Sequence, residues 1–356
     1  MIQAHARMKR PKPQRPGMQF LPKVSCILAV AMFGLGVVCT AVVGQSAEIN
    51  SDPAAAGAKP TTIIVIGAGG APQFETDFSD WANRWQLACE RAGHQVVIIG
   101  RDQDSTSLSD RQRLQAEIEA TAKSPGIDLW LVMIGHGTYD RRDARFNLRG
   151  PDISAQELAG WLKPVDRPMA IINTASASAP FLIALLGQKR VIIAATKSGS
   201  EQNFARFGDF MSQAISDPAA DLDKDNQTSL WEAYLRASRQ TAEFYATDGR
   251  LQTEHALLDD NGDQLGVRSD QFRGLVPLEQ AASGKMLDGQ YAHQWHLLRN
   301  ATDAALPPDI LKKRDSLEFS ILQLRDQKKS IPPAEYMERL ERLLVELSEL
   351  NESAGK

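Results

Sequence analysis

Cysteine is scarce in this chain, with 3 in 356 residues. Cys26 and Cys39 fall in one apolar stretch near the start, which leaves Cys89 alone in the remainder. The body therefore has no second thiol with which to form an intrachain disulfide. Positive charge is also scarce once the first 46 residues are passed. Those residues hold Arg7, Lys9, Arg10, Lys12, Arg15 and Lys23 and no acid; the rest has 40 − 6 = 34 basic residues against 44 acidic ones, a net of −10. A body of that sign disfavours nucleic acid, whose phosphates need basic patches. A dinucleotide fingerprint is missing as well. Gly67-Ala68-Gly69-Gly70 follows a strand-like run, but Pro72 and Gln73 stand where a third glycine belongs, and the next strand ends at Gly100-Arg101 rather than at an acid. The cluster reads as a tight turn. No repeat of solenoid period is present.

What is present begins with Val24 to Val43, twenty mostly apolar residues without charge, behind a basic flank and ahead of the small residues Gly44 and Ser46. The run reads either as a cleaved export signal or as an uncleaved membrane anchor. Both readings put the body outside the cytoplasm, secreted or periplasmic in the first case and membrane-anchored in the second. Residues 1–46 form this segment, and 47–60, small, polar and proline-containing, form a linker.

From residue 61 strand and helix patterns alternate. Thr61 to Ile66, Gln95 to Ile99, Asp128 to Gly135, Met169 to Asn173 and Arg190 to Thr196 are β-branched or apolar runs of strand length. Between them lie helical patterns. One carries Phe78, Trp81, Trp85 and Ala88 on a single face with Cys89 beside it; another is Leu108 to Lys123. Ser154 to Leu162 opens with a capping box, Ser154 and Glu157. A short helix follows Pro180, and Glu201 to Ile215 reads as helical. This alternation predicts an α/β domain over 61–270, a mostly parallel sheet flanked by helices. Such sheets carry function at the carboxyl ends of their strands. A connecting segment, 271–304, leads to a helical hairpin over 305–356. One of its stripes is Leu317, Ile321 and Leu324 and the other Tyr336, Leu340, Leu344 and Leu347, with Pro332-Pro333 between them.

Two strand ends carry the chemistry. Leu129 to Ile134 runs into Gly135-His136-Gly137-Thr138, and Met169 to Ile172 runs into Asn173-Thr174-Ala175-Ser176-Ala177-Ser178. A base at one strand tip and a small nucleophile at the next is how a parallel sheet assembles a catalytic dyad. A histidine between two glycines lets backbone and ring approach a substrate closely. The alternative is a histidine that only bonds loop backbone.

These two motifs resemble those of the caspase-like and legumain-like cysteine peptidases. The resemblance spans about residues 60–255 and includes the Ala195-Thr196-Lys197-Ser198-Gly199-Ser200-Glu201 segment, similar to the strand that lines the family's substrate pocket. It implies a general-base histidine in His136-Gly137 and a nucleophile forty positions on at Ser176, with Gly137 and neighbouring amides as oxyanion donors. Where the family has Cys-x-Ser-Gly this chain has Ser176-Ala177-Ser178-Ala179, and a register one residue off puts Ala175 or Ala177 at the nucleophile position. A thiol near an imidazole ionises readily, whereas a serine hydroxyl needs a base fixed by a third group. Asp140 and Asp152 are candidates for that group by proximity in sequence. The expectation is a pseudoenzyme that binds or scaffolds, taking a peptide or protein ligand in the cleft at the strand ends. The alternative is an active hydrolase with a His136–Ser176 dyad.

A further pattern is an acidic loop. Asp221, Asp223, Asp225, Gln227, Ser229 and Glu232 fall at positions 1, 3, 5, 7, 9 and 12 of an EF-hand loop,. Gln227 would offer its carbonyl and Glu232 both carboxylate oxygens to Ca2+. Asn226 stands where the sharp turn prefers glycine, and Pro218 breaks the incoming helix, so the motif is half an EF-hand; the other reading is a solvated acidic loop capping the next helix. Asp259, Asn261 and Asp263 alternate similarly in an Asn-Gly turn, without a terminal Glu, and read as a charged hairpin tip. The hairpin's apolar stripes pack on the body, on a partner or on a second copy of the chain.

Overall fold

The computed structural model describes residues 59–101, 108–123, 127–278 and 287–354. The export-signal or anchor reading of residues 1–46, with its core 24–43, and nearly all of the linker lie outside the described residues. Among the described residues, no helix is long and apolar enough to cross a membrane.

The central sheet holds β1 (Thr61–Ile66), β2 (Gln95–Ile99), β3 (Leu129–Ile134), and, after three short strands, β7 (Met169–Asn173), β8 (Arg190–Ala194) and β9 (Leu257–Asp259). The short strands are β4 (Gly137–Tyr139), β5 (Ala144–Phe146) and β6 (Ile153–Ser154), a separate antiparallel sheet that leaves the end of β3. The central order is β2-β1-β3-β7-β8-β9, with every neighbour parallel except β9, which runs antiparallel to β8. The α/β expectation of a mostly parallel sheet flanked by helices therefore holds.

Alternation along each strand divides the core in two. Ile64, Trp130, Val132, Ile172 and Ile193 face one layer, made by α1 (Pro72–Arg91), α5 (Phe207–Ala214) and α6 (Leu230–Thr247). Ile63, Leu131, Met133, Ile171 and Ile192 face the other, made by α2 (Asp110–Lys123), α3 (Ala155–Leu162) and α4 (Ala179–Ala184). The face expected on α1 is the face buried, with Phe78, Trp81, Trp85, Ala88 and Cys89 all in the first layer. Burial pushes the Cys89 thiol up to about 11, so it is an inert core group rather than a nucleophile. At α3 the expected capping box forms, each partner accepting from the other's amide.

One helix starts later than its pattern suggests. Helical periodicity begins at Glu201, but α5 begins at Phe207. The Glu201 carboxylate accepts from the amides of Lys197 and His255 and faces the His255 ring at 2.7 Å, and these bonds hold residues 201–206 in a loop. Glu254 fixes the start of the helix instead, accepting from the amides of Arg206 and Phe207 at 2.8 and 3.0 Å.

Beyond β9 come a small hairpin, β10 (Phe272–Arg273) with β11 (Val276–Pro277), and a short helix, α7 (Ala301–Ala304). Two long antiparallel helices follow, α8 (Pro308–Gln327) and α9 (Pro333–Ala354). Leu317, Leu324, Tyr336 and Leu350 are buried, while Leu344 is exposed. The α8 helix is tied to the preceding chain by charge: Arg314 pairs with Asp303, and Arg299 reaches Asp315 at 2.9 Å.

Trp85 is fully buried between α1 and β3, its ring 6.4 Å from that of Trp130. Truncation there leaves a cavity the sheet cannot fill. Trp85→Ala is expected to lower unfolding free energy by about 3–5 kcal/mol, measured by urea denaturation, with Leu87→Ala on the exposed face of α1 changing little.

Candidate functional site

The strand tips of β1, β3, β7 and β8 meet above the sheet. Gly67, at the end of β1, donates to the Ile134 carbonyl, and Ala68 donates to the Asn147 carbonyl. A Cβ on Gly67 would stand 2.5 Å from that Asn147 oxygen, so the turn read from the glycine cluster is a close backbone approach,. This turn presents the Gly69 carbonyl to His136, whose Nε2 lies 3.1 Å from it. The imidazole is enclosed by rings. Phe74 and Phe78 of α1 meet it edge-on at 4.8 and 5.0 Å, and Phe204 lies at 5.8 Å. Burial lowers the His136 pKa, and the bond to Gly69 only partly offsets this,.

Ser176 is buried, and its hydroxyl is held by Gly137. It accepts from the Gly137 amide at 3.1 Å and donates to the Gly137 carbonyl at 3.0 Å. The two chains touch so closely that a Cβ on Gly137 would lie 2.2 Å from the Ser176 carbonyl oxygen. The structure thus brings Ser176 together with Gly137. Among the described residues no hydrogen bond joins either of His136's ring nitrogens to Ser176, Asp140 or Asp152. Asp140 is exposed and closes its own turn, accepting from the amides of Arg142 and Asp143. Asp152 accepts from the amide of Leu148.

The segment after β7 is fixed from the other side by the end of β8. Thr196 is fully buried, and its hydroxyl oxygen accepts from the amides of Ser178 and Ala179. Ala177 is left-handed, with φ 53°, and its amide donates to the Glu201 carbonyl at 2.8 Å. Thr196 and Glu201 lie in the segment read from sequence as a pocket wall. Their part in shaping the Ser176 turn had no local signal, because it depends on which backbone amides the fold leaves open. The rings around His136 were legible only as a core face of α1.

The acidic loop precedes α6. One oxygen of each of Asp221, Asp223 and Asp225 lies within 4.8 Å of the others. Asp221 accepts from the amides of Lys224 and Asn226, Asp223 from Asp225, and Asp225 from Gln227. Lys224 and Asn226 are left-handed, at φ 67° and 66°, and asparagine tolerates that conformation well. Of the other three expected ligands, Ser229 and Glu232 have their side chains engaged elsewhere, whereas Gln227 was expected to act through its backbone carbonyl. The Gln227 amide bonds the side chains of Asp225 and Asp303. Ser229 caps α6. Glu232, 1 % exposed, accepts from the amides of Leu222 and Ser229 at 2.6 and 2.9 Å. Missing from the expected set is His293, whose Nε2 lies 3.2 Å from Asp223. That bond holds the Asp223 carboxyl below its ordinary range. Burial raises Glu232 and Asp225. On His293 burial acts downward, but Asp223 with the other nearby acids overcomes it, and the imidazole pKa is raised.

Burial among the enclosing rings favours the neutral form of His136. Its NMR titration should fall below that of an exposed imidazole, about 6.5, and Phe74→Ala, by admitting water, should move it back up. The sign follows from the neutral form being favoured only in the folded state. His136 costs no stability well above about pH 6.5; the loss builds as pH falls from there toward its lowered pKa and is complete below it,. Gly137→Ala, forcing a methyl against the Ser176 carbonyl, should cost about 1–3 kcal/mol or more, read by urea denaturation.

No family model and no curated protein matches the chain. Among solved structures it is similar to caspase-1 from Spodoptera frugiperda, at 10% identity and TM-score 0.39, covering 57% of this chain and 86% of that one. It is also similar to the Drosophila initiator caspase Dronc, at 13% identity and TM-score 0.38, covering 59% and 83% respectively.

Proposed function

We propose that this protein is a peptidase homologue of caspase-like architecture without a working nucleophile, which binds a peptide or protein segment at its strand tips. The observation that carries this reading is the double bond of the Ser176 hydroxyl to Gly137. A serine nucleophile must give its proton to a base as it attacks. Here the proton goes to a backbone carbonyl, and the histidine on the neighbouring tip is turned to Gly69. The low pKa direction of His136 favours a neutral base, but a base without a proton to accept does no chemistry. Extracytoplasmic location, through export or an anchor at residues 24–43, belongs to the same proposal, as does self-association through α9, where Met337, Leu344 and Val345 stay exposed.

The alternative, a hydrolase working through His136 and Ser176, requires the serine to leave Gly137 when a substrate enters. The two are separated with a fluorogenic peptide library and the purified wild type, Ser176→Ala and Ser176→Cys proteins. Under the proposal the wild type and the alanine variant are equally inactive. Turnover by the wild type that disappears in Ser176→Ala would establish the hydrolase instead.

We also propose that Asp221, Asp223 and Asp225 hold Ca2+, with oxygen donors suited to a hard cation. The convergence of the three carboxylates supports this. Glu232 joins only by releasing the amides of Leu222 and Ser229, and His293 must release Asp223, so affinity should be weak and should rise with pH as His293 loses its proton. Calorimetry is expected to give a dissociation constant of about 10⁻⁴–10⁻³ M that weakens at least about tenfold in Asp221→Asn. The absence of any heat at ~10 mM calcium, beyond the weak end of that range, would remove the assignment.

A further inference from the structure

The α8–α9 hairpin is fastened to the body by polar bonds. Its buried apolar residues, Leu317, Leu324, Tyr336 and Leu350, belong to neither core layer. Where α8 faces α6 a cavity of about 140 Å³ remains, lined by Trp231, Phe272 and Leu322, so carbon contact there is incomplete. Charge and amide groups span the gap. Arg314 of α8, its side chain 11 % exposed, pairs with Asp303 of α7, and Arg299 pairs with Asp315. Gln290 donates to Asp326.

The bonds continue past α7 into the acidic loop. Asp303 also accepts from Gln227 Nε2 at 2.9 Å, and Gln227 Oε1 accepts from the Asn300 amide at 3.2 Å. Asn300 caps α7, accepting from the Asp303 amide, and its Nδ2 donates to the Asp225 carbonyl at 3.1 Å. Gln227 Nε2 reaches the Asp225 carboxylate as well, at 2.9 Å. Gln227 and Asp303 are both buried, and a buried polar group that loses its partner is destabilised. Asp225 and Gln227 are two of the expected ligands, one through its carboxylate and the other through its backbone carbonyl. Both are held from α7 as well as from within the loop.

We propose that hairpin docking and cation binding in the 221–232 loop are coupled, each strengthening the other. The coupling rests on the Ca2+ reading above, and its means is preorganisation. A docked α8 keeps Arg314 on Asp303. Asp303 and Asn300 keep Gln227 turned, and Gln227 keeps the Asp225 carboxylate and its own carbonyl in place for the cation. When α8 leaves, Asp303 loses its counter-charge, and the second half of the loop loses the frame that holds it ready. The factor by which docking raises Ca2+ affinity is also the factor by which Ca2+ shifts the hairpin toward the docked state. Coulomb attraction alone predicts the opposite. Arg314 is a cation joined to Asp225 through Asp303 and Gln227, so on charge alone its removal should favour Ca2+. The sign of the effect therefore separates a geometric link from mere proximity.

The test uses the full-length protein. Calorimetry with Ca2+ compares the wild type, Arg314→Ala and Lys313→Ala. Arg314→Ala is expected to weaken Ca2+ by at least about fivefold. Lys313→Ala removes the same charge from α8 but only an exposed pair with Glu346 at 3.4 Å, and should leave the affinity unchanged. Hydrogen exchange of residues 299–327 is followed in the wild type with and without ~10 mM Ca2+, beyond the weak end of the expected range. It should slow by at least about fivefold, with exchange of α2, on the far face of the sheet, unchanged, and Asp221→Asn should remove the difference. Should Arg314→Ala fail to fold, the wild-type exchange comparison decides alone. No Ca2+ binding by the wild type would remove the cation site and the coupling with it. Ca2+ binding that leaves residues 299–327 exchanging as before, or a folded Arg314→Ala that binds Ca2+ as tightly as the wild type or more tightly, would overturn the coupling and leave the cation site standing.

Discussion

The contact between Gly137 and Ser176 sets the geometry of the strand tips. Two parallel strands, β3 and β7, deliver their next residues side by side, and the absence of a side chain at Gly137 lets the backbones close on each other. The serine hydroxyl is small enough to bridge both polar groups of Gly137 at once. That bridge satisfies an amide and a carbonyl at the crowded end of the sheet, where neither has a ladder partner. It also occupies the hydroxyl proton. The Ser176 hydroxyl is therefore a structural tie between the two strand tips.

Buried carboxylates do comparable work in the loops. The turns at 221–227 and 259–265 share one hydrogen-bond register. Asp221 and Asp259 accept from the fourth and sixth amides, Asp223 and Asn261 from the fifth, and Asp225 and Asp263 from the seventh. The fourth and sixth residues are left-handed in both, Lys224 and Asn226 in one, Gly262 and Gln264 in the other. Each is closed by a carboxylate that accepts from the second and third amides, Glu232 in the first and Asp288 in the second. Negative charge concentrated in loops is thus partly spent on organising backbone. A cation in the first loop competes with amides for the same oxygens, and this is why low affinity is expected of it.

The sheet was readable because its strands are short apolar runs separated by amphipathic stretches, and side-chain alternation does the rest. Trp81 and Trp85 mark the buried face of α1 for the same reason. His136 was readable because glycines flank it at a strand end. The partners that decide its chemistry were not. Gly69 offers a backbone carbonyl, which no side-chain pattern announces, and Phe204 reaches the imidazole from a loop more than sixty residues away in sequence. The acidic loop was legible as a spacing of oxygens, yet spacing carries no information about which oxygens the backbone claims. Glu232 occupies the twelfth position of a cation loop and the third of a capping box at once, and in this fold the capping box has it. Likewise Glu201 lies inside a helical periodicity but is taken by the His255 side chain and two amides, so the helix starts later.

Serine at position 176 suits the tie better than either cysteine or alanine. Alanine would leave the Gly137 amide and carbonyl unmatched in a site that is 3 % exposed, a cost of about 1–3 kcal/mol for each group. A thiol is a weak donor and a weak acceptor, so a sulfur could not replace both bonds at their observed lengths. Cysteine would be held less firmly by Gly137, and it would also be the group whose proton an adjacent imidazole can take. The features that make a thiol reactive at a strand tip, weak hydrogen bonding and ready ionisation, are those that make it a poor clamp. A position that fastens two strands is therefore better served by the hydroxyl than by a thiol.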